Sequence, residues 1–213
     1  MKKFICFFAV TFLALSSYAQ GSIWYIGGVA GYGSSTYKPT NGNEQKTNSW
    51  AFGPEFGTML KKDLQLGFIL GLNGSTEKYG DNDETTTTYF SPTIYVRKFK
   101  AVTDNFSVFS GLYFNYSTGK EDDNGDETTL NGFAVNLGFG VAYNITPRFT
   151  AVGQYGVLGY SSTTYKNDGE EYATQNDFGL GVNTVGSGSF VQGNGSGAVF
   201  NIGLYYTLST GAK

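Results

Sequence analysis

The chain has 213 residues, with 14 Lys and Arg against 17 Asp and Glu, a net charge of −3 and no histidine. Its 31 glycines argue against a helical protein, since glycine weakens a helix interior, and its 18 Phe and 16 Tyr argue against disorder. An acidic chain without basic clusters also argues against nucleic acid as a partner.

The first segment reads as an address. Lys2 and Lys3 precede an apolar run from Phe4 to Leu15, followed by Ser17-Tyr18-Ala19, the pattern of a secretory signal cut after Ala19. A transmembrane helix needs about 20 apolar residues, and this run is shorter. Cys6 is the single cysteine, lies inside the leader and lacks the small-residue context of a lipoprotein site. The exported chain, residues 20–213, is therefore expected to be one domain without disulfides or thiolate metal sites.

Beyond the leader, segments of roughly 10 residues alternate in hydrophobicity between stretches of turn chemistry. Eight are predicted, near Ile23–Ser34, Trp50–Leu60, Leu64–Thr76, Thr86–Lys98, Phe106–Thr118, Leu130–Asn144, Phe149–Tyr160 and Ala198–Leu208. In the third, Leu64, Leu66, Phe68, Leu70 and Leu72 share one face, with Gln65, Gly67, Gly71 and Asn73 on the other. The sixth sets Phe133, Val135, Leu137, Phe139, Val141 and Tyr143 opposite Ala134, Asn136, Gly138, Gly140, Ala142 and Asn144. A soluble sandwich would bury the large face and show charges on the other. Large residues outward and small ones inward instead suit a narrow transmembrane β-barrel, all-β, antiparallel and up-and-down. Asp177–Val185 alternates without an obvious partner and either extends the last hairpin or joins the final strand across a bulge. Ten strands is the alternative count, disfavoured because Phe190-Val191-Gln192 is too short to span.

The connections alternate in length. Lys61–Asp63, Ala101–Asn105 and Ile145–Arg148 are short, whereas Ser35–Ser49, Glu77–Thr85, Gly119–Thr129 and Ser161–Gly197 are long and polar. This suits short periplasmic turns and long extracellular loops in a bacterial outer membrane. The long loops hold most of the acids, from Glu44 to Asp177, while Lys61, Lys62, Lys98, Lys100 and Arg148 flank the short turns. Trp24, Trp50, Tyr89, Tyr116 and Tyr143 fall near strand ends, as interfacial girdles would place them.

The C-terminal segment Asn201-Ile202-Gly203-Leu204-Tyr205-Tyr206-Thr207-Leu208 resembles the assembly signal of outer-membrane barrels at Asn201, Gly203, Tyr206 and Leu208. It departs from that pattern in its tail, Ser209-Thr210-Gly211-Ala212-Lys213. Phe52-Gly53-Pro54-Glu55-Phe56-Gly57 and Tyr143-Asn144-Ile145-Thr146-Pro147-Arg148-Phe149 are similar to phrases of the small outer-membrane β-barrel domain family, the eight-stranded porin-like barrels of Gram-negative bacteria. The resemblance implies outer-membrane lipid and lipopolysaccharide as surroundings, and the barrel-assembly machinery as a partner in biogenesis.

No catalytic residue, cofactor site or metal site is expected. Barrel enzymes that hydrolyse lipids or proteins depend on a histidine base, and serine without imidazole is a poor nucleophile. The acidic run Lys120–Glu127 fails as an EF-hand, because Glu127 stands where that loop needs glycine and Phe133 where it needs glutamate. It reads as an Asn124-Gly125 hairpin apex, with loose divalent cations bridging the loops to lipopolysaccharide phosphates as a further expectation. Strand phase turns Glu55 and Arg97 into the lumen, where they are expected to meet, with Gln154 or Tyr95 completing a polar network. The functional expectation is a non-catalytic structural or surface-interaction barrel. The alternative is a narrow channel or conduit for small or hydrophobic solutes, favoured by the space that glycine-lined faces would leave.

Overall fold

A computed structural model describes residues 23–40, 43–80, 83–167, 169–180 and 200–208. Residues 1–19, read above as a leader, residues 181–199 and the tail 209–213 lie outside them. Among the described residues there are nine strands: β1 Ile23–Tyr37, β2 Gln45–Lys61, β3 Leu64–Tyr79, β4 Asp83–Ala101, β5 Phe106–Asp123, β6 Asp126–Asn144, β7 Phe149–Asn167, β8 Glu170–Leu180 and β9 Phe200–Thr207. Each strand from β1 to β7 pairs antiparallel with the next.

The sheet closes on itself through its last strand. β9 pairs with β7 over Phe149–Tyr155 and with β1 over Tyr25–Gly28, making a ring of eight at that level. β8 pairs with the far part of β7, Leu158–Asn167. The eighth place is thus shared along β7, by β9 near the short turns and by β8 near the long hairpins. Asp177–Leu180, which the alternation left without a partner, ends β8, and the rest of that segment lies outside the described residues. Gly28 is the last β1 residue paired to β9. Its φ of +154° suits glycine, and a Cβ there would sit 2.5 Å from the Gly53 carbonyl oxygen.

Alternation decides which way each side chain points. Phe52, Phe56, Phe68, Leu72, Phe90, Ile94, Leu112, Phe114, Phe133 and Phe139 are all exposed on the outer wall. So continuous an apolar surface belongs in lipid, because water-exposed patches on soluble monomers rarely exceed a few hundred Å². Trp24 and Tyr143 stand on this wall near the short turns, and Trp50 and Tyr116 toward the hairpins. Tyr89 departs from its predicted girdle place: Phe90 takes the outward phase, and Tyr89 turns inward against Gly119 directly across the ladder.

Two prolines lie within strands and each breaks one ladder. The β2–β3 register skips Gly53 and Pro54, and the β4–β5 register skips Ser91 and Pro92, since proline has no N–H to donate. At the second break Asn115 compensates, its amide donating to the carbonyls of Ser91 at 3.3 Å and Pro92 at 3.4 Å.

Most of what sequence reads as long loops is strand. β4, β6 and β7 have 19 residues each, whereas crossing the apolar band of an outer membrane takes about 9–11. The surplus forms hairpins projecting beyond the apolar wall. One is capped by Asn124 (φ 53°) and Gly125 (φ 99°), the left-handed pair of a two-residue turn whose twist matches that of the strands. Thr85–Thr88 on neighbouring β4 run alongside it, and Thr85 donates to Asp123 of β5 at 3.0 Å.

Candidate functional site: a charged layer across the lumen

The inner face carries a layer of charge near the turn end. Glu55 on β2 and Arg97 on β4 are 4% and 1% exposed, and Arg97 Nη1 lies 3.1 Å from Glu55 Oε1. Burying either charge alone costs several kcal/mol, so both must be satisfied inside the barrel. Arg97 Nε donates to the Tyr113 hydroxyl at 2.8 Å, and Nη2 to Gln154 Oε1 at 2.8 Å. Nη1 also donates to the Tyr205 hydroxyl at 2.9 Å and Gln65 Oε1 at 3.3 Å. Both carboxylate oxygens of Glu55 accept from tyrosine, Oε1 from Tyr95 and Oε2 from Tyr205 at 2.8 Å. Tyr25 and Tyr95 hydrogen-bond through their hydroxyls. The guanidinium carbon stands 3.9 Å from the centroid of the Tyr95 ring, a cation–π contact in a desolvated setting.

These eight side chains come from β1, β2, β3, β4, β5, β7 and β9, so one connected network ties seven strands together across the lumen. Apolar packing lies on its turn side, where Phe109, Ala142 and Val152 join Tyr25 and Tyr205, with Phe99 against them. Uncharged polar groups lie on the hairpin side: Ser91, Thr93, Asn115 and Asn136 are buried, and Asn115 donates to Thr93 at 2.8 Å.

Four inward glycines each face an aromatic ring. Opposite Tyr25 stands Gly57, opposite Tyr95 stands Gly67, opposite Tyr205 stands Gly27, and opposite Phe109 stands Gly140. A Cβ at any of these four positions would fall 2.1–2.2 Å from the facing ring or its hydroxyl. The rings lie flat over bare backbone, and the space expected of glycine-lined faces is occupied by aromatic side chains. Glycine here is what lets bulky inward residues fit a narrow barrel.

Of the residues expected to form a lumen network, the structure brings Glu55, Arg97, Tyr95 and Gln154 together. Sequence reasoning missed Tyr25, Gln65, Tyr113 and Tyr205 as members. Their strand phase was legible, since Leu112 and Phe114 outward turn Tyr113 inward, but which inward residues share a level depends on the stagger between strands. The four residues resembling an assembly signal fall in and just beyond β9. Asn201 pairs with Gln154 and Gly203 with Val152. The Tyr206 hydroxyl accepts from Arg148 at 2.9 Å, its ring lies 5.1 Å from that of Phe149, and the Leu208 amide donates to the Trp24 carbonyl at 2.8 Å. The acidic run Lys120–Glu127 forms the β5–β6 hairpin tip, where Lys120 pairs with Glu127 at 2.7 Å and the Gly125 amide donates to Asp122 at 2.8 Å.

A closed antiparallel sheet with an apolar exterior and a polar interior defines a β-barrel of the outer membrane. The family described as outer membrane protein beta-barrel domain matches residues 5–207, and the chain belongs to it. Three of the solved structures similar in fold can be named. They are Neisserial surface protein A (12% identity, 88% of this chain and 97% of that one, TM-score 0.43), the translocator domain of autotransporter NalP from Neisseria meningitidis (13%, 84% and 68%, 0.44) and a major outer membrane protein from Thermus thermophilus (15%, 88% and 99%, 0.39). No match is found among curated proteins.

Proposed function

We propose that this barrel is a non-catalytic structural and surface-presenting protein whose lumen is closed to solutes. The Glu55–Arg97 layer carries the reading: the charged groups that would attract an ion are hydrogen-bonded to one another, to three tyrosines and to two glutamines. In an open pore they would face water. We further propose that the short turns are periplasmic and the acidic hairpins extracellular. Supporting this, Lys61, Lys62, Lys98, Lys100 and Arg148 gather at the turn end, while acids dominate the hairpins.

Planar-bilayer recording tests the closed lumen. Purified barrel that shifts on heating in SDS gels is expected to give no resolved conductance steps. Steady single-channel steps from such folded protein would overturn the reading in favour of a narrow channel.

A further inference from the structure

We infer that the outer wall near the short turns carries a binding site for one anionic phospholipid, with its headgroup at Lys98 and Lys100 and an acyl chain in the depression beside them. The site is built from cross-strand register. Lys98 pairs with Ser110 and Ser110 with Phe139; one row nearer the turn, Lys100 pairs with Val108 and Val108 with Val141. Directly paired residues point to the same face, so each row presents cation, small or branched residue, then apolar residue. Ser110 sits between larger neighbours, and the wall sinks there into an open depression of about 770 Å³, within the roughly 300–1,000 Å³ of small-molecule sites. Val108, Phe139 and Val141 are exposed along it.

Two features select an anion at its edge. The Lys98 side chain is 67% exposed, and Lys100 is exposed on the same wall. Asp63 meets Lys98 at 3.0 Å and takes up part of its charge, leaving Lys100 as the main partner for a phosphate. An apolar trough ending in ammonium groups at the membrane boundary matches a lipid, whose phosphate lies at that depth above its chains. With the turns periplasmic, the lipid belongs to the inner leaflet. That leaflet assignment rests on the proposed orientation, whereas the lipid chemistry does not.

Native mass spectrometry of the detergent-solubilised full chain, titrated separately with phosphatidylglycerol and phosphatidylcholine, tests the site. The wild type is expected to bind phosphatidylglycerol more tightly. Lys98→Gln/Lys100→Gln is expected to weaken that binding by about fivefold to thirtyfold, from about 1 kcal/mol per basic residue near an anionic surface, and to leave phosphatidylcholine unchanged. Ser110→Leu, which fills the depression, weakens both lipids, and Asp63→Asn strengthens phosphatidylglycerol. A heat shift on gels verifies that each variant is folded, and if the double variant fails, Lys100→Gln alone is expected to weaken phosphatidylglycerol by about fivefold and leave phosphatidylcholine unchanged. Equal wild-type affinity for the two lipids would overturn the site. So would an equal loss in Lys61→Gln/Lys62→Gln, which would mean a diffuse basic belt.

Discussion

Replacing Arg97 by Met keeps an unbranched chain but leaves the Glu55 carboxylate buried without its counter-charge. Breaking a buried ion pair from one side destabilises by about 3–5 kcal/mol. Two tyrosine donors remain on Glu55 in this variant, which places the loss toward the lower end of that range. Glu55→Leu leaves Arg97 with Tyr113, Tyr205, Gln65 and Gln154 as acceptors, and a similar loss is expected. The double variant Glu55→Leu/Arg97→Met strands no charge, and apolar replacement of a whole buried pair is often neutral. Its loss should therefore fall short of the summed single losses by at least about 3 kcal/mol, far above the few tenths expected of independent sites. Reversible urea unfolding in phospholipid vesicles, followed by emission of Trp24 and Trp50, the two tryptophans, measures all four corners of the cycle. Additive losses would refute the conclusion that the two charges satisfy each other as one unit.

Other positions make separate tests. Gly67→Ala would put a Cβ 2.2 Å from the Tyr95 ring and hydroxyl, and overpacking of this kind costs about 1–3 kcal/mol; a Gly67→Ala barrel as urea-resistant as wild type would contradict the close packing. At the β5–β6 tip, Gly125→Ala meets nothing within 4 Å, so its penalty is the left-handed backbone alone, about 1–2 kcal/mol. Hydrogen exchange should quicken only around residues 120–129, and quickening in the lumen layer would contradict that. Asp63, whose carboxylate accepts from Lys98, is held below the usual aspartate range by that hydrogen bond. Because its folded value is depressed, the pair's contribution is complete above the ordinary carboxylate value and is lost as pH falls through the lowered one. Carbon NMR should find Asp63 titrating below an ordinary aspartate in wild type and returning toward it in Lys98→Gln; an unchanged titration would remove the pairing.

The sequence carried the barrel because a two-residue period is a local property. Leu64 to Leu72 on β3 and Phe133 to Tyr143 on β6 display their outward faces without reference to any other strand. The same period placed Glu55 and Arg97 inward and made their meeting foreseeable, since two buried charges need each other. Asn124-Gly125 was equally legible, because the turn it forms depends on the φ values those two residues tolerate. Local chemistry could not give the stagger between strands, and stagger decides which inward residues share a level. Tyr25, Gln65, Tyr113 and Tyr205 entered the charged layer only once the ring closed. Closure also put Tyr25, Tyr95, Tyr205 and Phe109 over Gly57, Gly67, Gly27 and Gly140, so that glycines which read as empty space became seats for aromatic rings. The sequence by itself determined which face each residue occupies, through steric alternation along one strand. Only the tertiary structure decided which residues meet across the lumen, because that depends on register summed around a closed sheet.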